Sequence, residues 1–306
     1  MLALTLNDND RQRSPDPAAF HRALAHFNNR RIAPTLPHAG WEAAIREEAG
    51  FRIDEGNWIE RERAAVLDRA AAAPRDPHGF VAWFENLKDT GPGQGDGLFP
   101  WLETTASLAA MRWFLTQEAA GEAGFDDLVA LTQVKLPARP KLELARNYWD
   151  EMGRGNLKGM HGSLLTALID TLGIQPAIDD TAWESLALAN LMLGLATSRR
   201  YAYHSVGALG AIELTAPGRV VKVAAGLRRL GFSDRERRYF DLHATLDVKH
   251  SESWNAEALI PLIESDPALA QPIAEGALMR LAAGERCFRR YRAALWARPQ
   301  EIAARP

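Results

Sequence analysis

Residues 239–254 run Tyr239-Phe-Asp-Leu-His243-Ala-Thr-Leu-Asp247-Val-Lys-His250-Ser-Glu-Ser-Trp254. At about 100° per residue, His243, Asp247 and His250 fall within about 60° of one another on a helix. Tyr239, Leu246 and Trp254 share their face, while Asp241 and Glu252 point the opposite way. One reading is a solvated polar stripe. The other is an inward face, where two imidazoles and a carboxylate are costly unless paired or bound to metal. A two-histidine, one-carboxylate set is what Fe(II) oxygen chemistry uses.

Working outward, most other apolar residues also recur at helical spacing, and the best strand candidate, Arg219–Ala224, is short, so the expected fold class is all-α. The pattern predicts helices at roughly 17–29, 39–49, 57–73, 77–87, 100–120, 125–134, 140–152, 158–172, 182–214, 219–230, 234–255, 256–264 and 268–295. Asp180 and Thr181 mark a helix start, Gly173 a stop, and Ser233 with Glu236 a capping box. Pro217-Gly218 is expected to end the helix carrying Glu213. Asp89–Gly97, rich in glycine, reads as a flexible linker. It divides an expected N-terminal helical extension, residues 1–90, packed on the core, from a main domain at 98–300.

The 306 residues are 47% hydrophobic and 25% charged, ordinary values for a globular protein. A net charge of -3 with both signs dispersed offers no basic footprint for nucleic acid. The single cysteine, Cys287, rules out a thiolate cluster, so any metal must sit on nitrogen and oxygen. Met1 to Arg13 lacks the apolar run of a secretory signal, and no stretch approaches the length of a membrane span; a cytoplasmic location is expected. Neither a glycine-rich phosphate loop nor a Gly-x-Ser-x-Gly elbow is present.

Further acids and imidazoles fall on apolar stripes. Glu213 follows Leu209, Val206 and Ala202 on its face, with a structural salt bridge as the plainer reading. Of the neighbours Asp150 and Glu151, helical phase puts Glu151 inward with Leu144 and Tyr148. His161 precedes Leu164, Leu165 and Leu168 on a core-facing stripe, and Gly153, Gly155 and Gly159 allow the chain to break so that Glu151 and His161 converge. Glu118 shares a face with Met111, Phe114 and Leu115, while Glu122, Asp126 and Asp127 compete with it in a stretch of unfixed phase. His204 lies about 180° from Glu213 and reads as a surface or helix-packing residue. Three glutamates, one aspartate and three histidines on four helices match the inventory of bundle di-iron sites.

Glu151…His161, Glu213 and His243-x-x-x-Asp247-x-x-His250 together resemble the haem-oxygenase-like di-iron oxidases and oxygenases, often labelled iron-containing redox enzymes. The resemblance covers about residues 100–295 and leaves the first 90 outside. It implies a haem-oxygenase-like helical bundle without haem and two Fe(II) ions per chain. By the same resemblance, His161, Glu151 and Glu213 hold one iron, and Glu213 bridges to a second held by His243, Asp247 and His250. Glu118 corresponds to an extra carboxylate of some members. The implied activity is O2-dependent oxidation of a small organic substrate, an amino-acid-derived amine or a fatty acid, in specialised metabolism. Dioxygen and that substrate are the expected partners, and a homodimer is left open. The alternative is a cofactor-free enzyme of the same broad fold, a quinone-cofactor oxidase or a thiamin-fragment hydrolase, whose hydrolase form would want a nucleophilic cysteine.

Overall fold

A computed structural model describes residues 16–296 apart from 38 and 123; the Met1–Arg13 segment and the last residues of the expected main domain lie outside these. Thirteen α-helices follow one another among the described residues: α1 Pro17–Ile32, α2 Trp41–Ala70, α3 Pro77–Thr90, α4 Leu98–Thr104, α5 Leu108–Gly121, α6 Phe125–Thr132, α7 Ala138–Glu151, α8 His161–Leu172, α9 Trp183–Thr197, α10 Ala202–Arg229, α11 Arg238–Trp254, α12 Ile260–Ser265 and α13 Ala270–Trp296. No strand occurs among the described residues, so the all-α class holds. None of their helices is long and apolar enough to cross a membrane.

α9 is the axis of the fold. It carries Leu186, Leu191, Leu193 and Leu195 on different sides and buries all of them, as a helix apolar all round must. α1, α5, α6, α10 and α13 pack around it. α10 and α13 meet at backbone contact. A Cβ on Gly207 would stand 1.9 Å from the Ile273 carbonyl oxygen, and one on Gly276 would stand 1.9 Å from that of His204.

α1 and α2 close over α9 and α13 through buried polar contacts. Asn28 donates to Asn190 Oδ1 (2.9 Å), and Asn190 in turn donates to the His21 carbonyl (3.0 Å). The His21 ring lies edge-on to Trp58 and stacks on Trp183. Burial, aided by the charge of Arg286, lowers its pKa to about 3.

Several boundaries differ from expectation. The two helices expected at 39–49 and 57–73 are one, because Gly50 and Gly56 are tolerated in a helix that has no proline. The stretch 100–120 is divided instead, where the Ser107 hydroxyl accepts from Ala110 N and starts a new helix. The long helix expected at 182–214 breaks at Ser198, which is extended. Most consequential, α10 does not stop before Pro217 but runs through it to Arg229. Tertiary packing of both halves outweighs the one hydrogen bond that proline removes. The glycine-rich Asp89–Gly97 segment is no loose linker. It lies on α13, where Gly93, at φ +73°, donates to Glu285 Oε1 (3.2 Å) and Asp96 pairs with Arg292.

Candidate metal centre

α7, α8, α10 and α11 deliver the polar groups to the interior. α7 buries Leu144, Asn147 and Glu151, and it buries Glu143 as well. The chain then breaks at Gly153, whose φ of +61° and close approach to Gly159 leave no room for a side chain. This turn brings His161, at the start of α8, back against Glu151: Nδ1 and Oε2 are 2.9 Å apart. α10 contributes Glu213, buried among Leu209 and Val206. α11 buries His243, Asp247, His250 and Trp254 on one side, which makes the polar stripe an inward face.

Two groups result. One ligating atom each from Glu151, His161 and His243 lies within 4.8 Å of the others, and the same is true of Glu213, Asp247 and His250; all six residues are buried. The grouping differs from that implied by resemblance, which set His243 beside Asp247 and His250. Seven residues of helix separate the two histidines by about 10.5 Å along the axis, so each turns to a different group. His250 Nδ1 lies 3.5 Å from Glu213 Oε2 and 4.0 Å from Glu151 Oε1, so the groups are neighbours.

Each histidine has one nitrogen engaged by a carboxylate and the other without a hydrogen-bond partner. His161 Nε2 donates to Glu122 Oε1 (2.9 Å), His243 Nδ1 to Asp247 Oδ1 (3.0 Å) and His250 Nε2 to Asp150 Oδ2 (3.2 Å). His161 Nδ1, His243 Nε2, His250 Nδ1 and Glu151 Oε2 are buried without such a partner. His161 Nδ1 and Glu151 Oε2 thus approach closely without hydrogen-bonding geometry, as two donors aimed at one cation do. Metal-ligating histidines are oriented in this way, by a carboxylate that holds one ring nitrogen and turns the other inward. The donor set, all nitrogen and carboxylate oxygen, suits iron.

The charges are tightly balanced. Burial pushes the His161 pKa down, but Glu122 and Glu151 outweigh it and hold the ring well above its ordinary value. Burial opposes protonation of His250 too, yet the Glu213 and Asp150 carboxylates raise it to about 9. Glu213 is raised to about 7 by burial and by the neighbouring Asp247 and Glu151 charges, against the pull of His250. Glu122 resists its burial and falls to about 2, because His161 and the Gly124 and Phe125 amides stabilise the carboxylate.

A cavity of about 190 Å³ opens beside the groups, walled by Phe114, Leu115, Leu168 and Leu188 and touched by Glu151, His161, Glu213, His243 and Asp247. Glu118 also faces it but joins neither group. Its neighbours are Tyr291, Arg219 and Arg280. His204 is buried away from the groups, 3.0 Å from Glu275 Oε2.

Three residues around the groups were not placed there from the sequence: Asn147 was not singled out, Asp150 was read as outward, and Glu122 was left among the competitors of Glu118. Asn147 donates to Glu213 Oε1 (2.6 Å), and its place four residues before Glu151 was the available signal. Asp150, read as outward, reaches His250 because it sits at the edge of the buried face. Glu122 caps α6 and orients His161, a role no helical phase could show because it follows the end of α5.

No curated protein matches the chain. Among solved structures, a domain of unknown function with a heme oxygenase-like fold from Shewanella denitrificans OS217 is similar over 72% of this chain and 94% of its own, at 13% identity and a TM-score of 0.49. The sequence model of a family described as iron-containing redox enzyme matches residues 112–285, more than half of the chain and a span that contains both groups. The protein therefore belongs to the iron-containing redox enzyme family, as its His-x-x-x-Asp-x-x-His element suggested.

Proposed function

We propose that the protein is a non-haem di-iron oxidase or oxygenase that uses O2 to oxidise a small organic substrate, an amino-acid-derived amine or a fatty acid. The observation that carries the reading is the pair of adjacent buried triads beside one cavity, with three histidine nitrogens and a carboxylate oxygen left without hydrogen-bond partners. Glu151, His161 and His243 would hold one iron, and Glu213, Asp247 and His250 the other. Ferrous ions held there would supply the electrons that dioxygen needs and a template for the substrate. Glu122, Asp150 and Asn147 hold His161, His250 and Glu213 in place. The apolar walls keep bulk water from the reacting groups.

Anaerobic reconstitution with Fe(II), followed by elemental analysis, tests the reading. Two irons per chain are expected, with O2 uptake in the presence of substrate; a stoichiometry that never exceeds one would replace it with a mononuclear site.

The cysteine-hydrolase alternative lacks its nucleophile. Cys287 is buried, donates to the Glu184 carbonyl, and has its thiol pushed up to about 12 by burial and the nearby Glu118. It is not among the residues lining the cavity.

A further inference from the structure

The cavity beside the triads has a second polar lining. Arg219 of α10 and Arg280 of α13 both face it, with Glu118 and Tyr291 alongside. Elsewhere the chain pairs its inward arginines: Arg31 with Glu55, Arg286 with Glu62, and Arg237 with Asp234 and Asp241. These two have no such partner among the described residues. Among the described residues the Arg219 guanidinium donates to the Thr215 hydroxyl alone (2.9 Å), and it lies over the rings of Phe99 and Phe288. The Arg280 guanidinium makes no hydrogen bond among the described residues, and its Nε is buried without a partner there.

Burial and mutual repulsion hold Arg219 down to about 9 and lower Arg280 as well. Glu118 lies near both among the described residues, and burial raises its pKa. The cavity's other acids, Glu122, Glu151, Asp247 and Glu213, face histidines, so the two guanidiniums beside Glu118 carry positive charge that an arriving anion would compensate. Guanidinium is also the group whose fork best matches a carboxylate.

We propose that Arg219 and Arg280 form an anion subsite that takes the carboxylate of the substrate, with its apolar body along Phe114, Leu115 and Leu188 and its far end toward the triads. The orientation rests on the reading of the triads as the reactive end; the subsite itself does not. Along α10, Glu213 and Arg219 are six residues apart, about 9 Å of helix rise, so several bonds separate the carboxylate from the oxidised atom. The substrate class is thus a small organic carboxylate with an apolar chain, and not a simple amine or alcohol. Glu118 serves as the resident counter-charge that the incoming carboxylate must outcompete.

Calorimetric titration of the full-length, chelator-treated protein with hexanoate, hexylamine and 1-hexanol tests this without iron or turnover. Hexanoate is expected to bind at least tenfold more tightly than either other probe. Arg219→Gln and Arg280→Gln should each weaken hexanoate at least tenfold, and Glu118→Gln should tighten it severalfold. A general loss of structure cannot produce that last gain, so it decides the matter should an arginine variant fail to fold. Equal binding of hexanoate and 1-hexanol, or hexanoate affinity indifferent to Glu118→Gln, would overturn the subsite. Iron stoichiometry is measured separately: hexanoate binding with fewer than two irons would remove the di-iron reading and leave the subsite standing, and two irons without hexanoate binding would do the reverse.

Discussion

Glu122 Oε1 accepts from His161 Nε2 at 2.9 Å, joining the residue that follows α5 to the residue that opens α8. The contact turns the other ring nitrogen of His161 toward Glu151. Glu122→Ala is therefore expected to weaken Fe(II) binding by about 10- to 100-fold while leaving the number of irons at saturation unchanged. An anaerobic Fe(II) titration reads both quantities. Unaltered affinity would show that the ring is held by its packing against Phe125 and Tyr239 instead.

Two buried histidines should respond in opposite ways. His250→Ala removes a nitrogen that faces Glu213 and Glu151, so bound iron should fall by one per chain and O2-dependent turnover should be lost. His204→Ala should keep both irons. It deprives buried Glu275 of a partner, and a loss of about 1–3 kcal/mol in stability is expected, measured by urea unfolding. Iron lost from His204→Ala and kept by His250→Ala would overturn the assignment.

Glycines in one helix should also diverge. In Gly207→Ala the new methyl would meet the Ile273 carbonyl at 1.9 Å, forcing α10 from α13, so a loss of about 1–3 kcal/mol or more is expected. Gly218→Ala meets nothing within 4 Å, and the gain in helix propensity should stabilise by about 0.5–1 kcal/mol. Thermal unfolding of both variants settles the comparison.

His21 makes stability depend on pH. Its folded pKa, about 3, lies below the unfolded value of 6.5, so between these limits the unfolded chain binds more protons. The contribution is complete above 6.5 and is lost as pH falls toward 3, at up to about 1.4 kcal/mol per pH unit. Urea midpoints between pH 7 and 5 should fall less steeply in His21→Gln than in the parent protein, and identical slopes would assign the acid sensitivity to other groups.

Local chemistry was legible in the chain. The i, i+4, i+7 spacing in 243–250 set a helix and an inward polar face, because one helical residue turns about 100° whatever its surroundings. Gly173 ended α8 as a left-handed stop at φ +63°, for a reason equally local. By the same logic Glu151 was separated from Asp150. Decisions that needed a second element were not legible. Pro217 looks like a terminator until α10 has neighbours to hold both halves, and Glu122 looks like one acid among four until the end of α5 meets His161. The division of the six candidate residues into triads, and the two arginines brought from α10 and α13 to one cavity wall, depend on distances between residues far apart in sequence. Periodicity determines which way a side chain faces on its own helix; only packing determines what it faces.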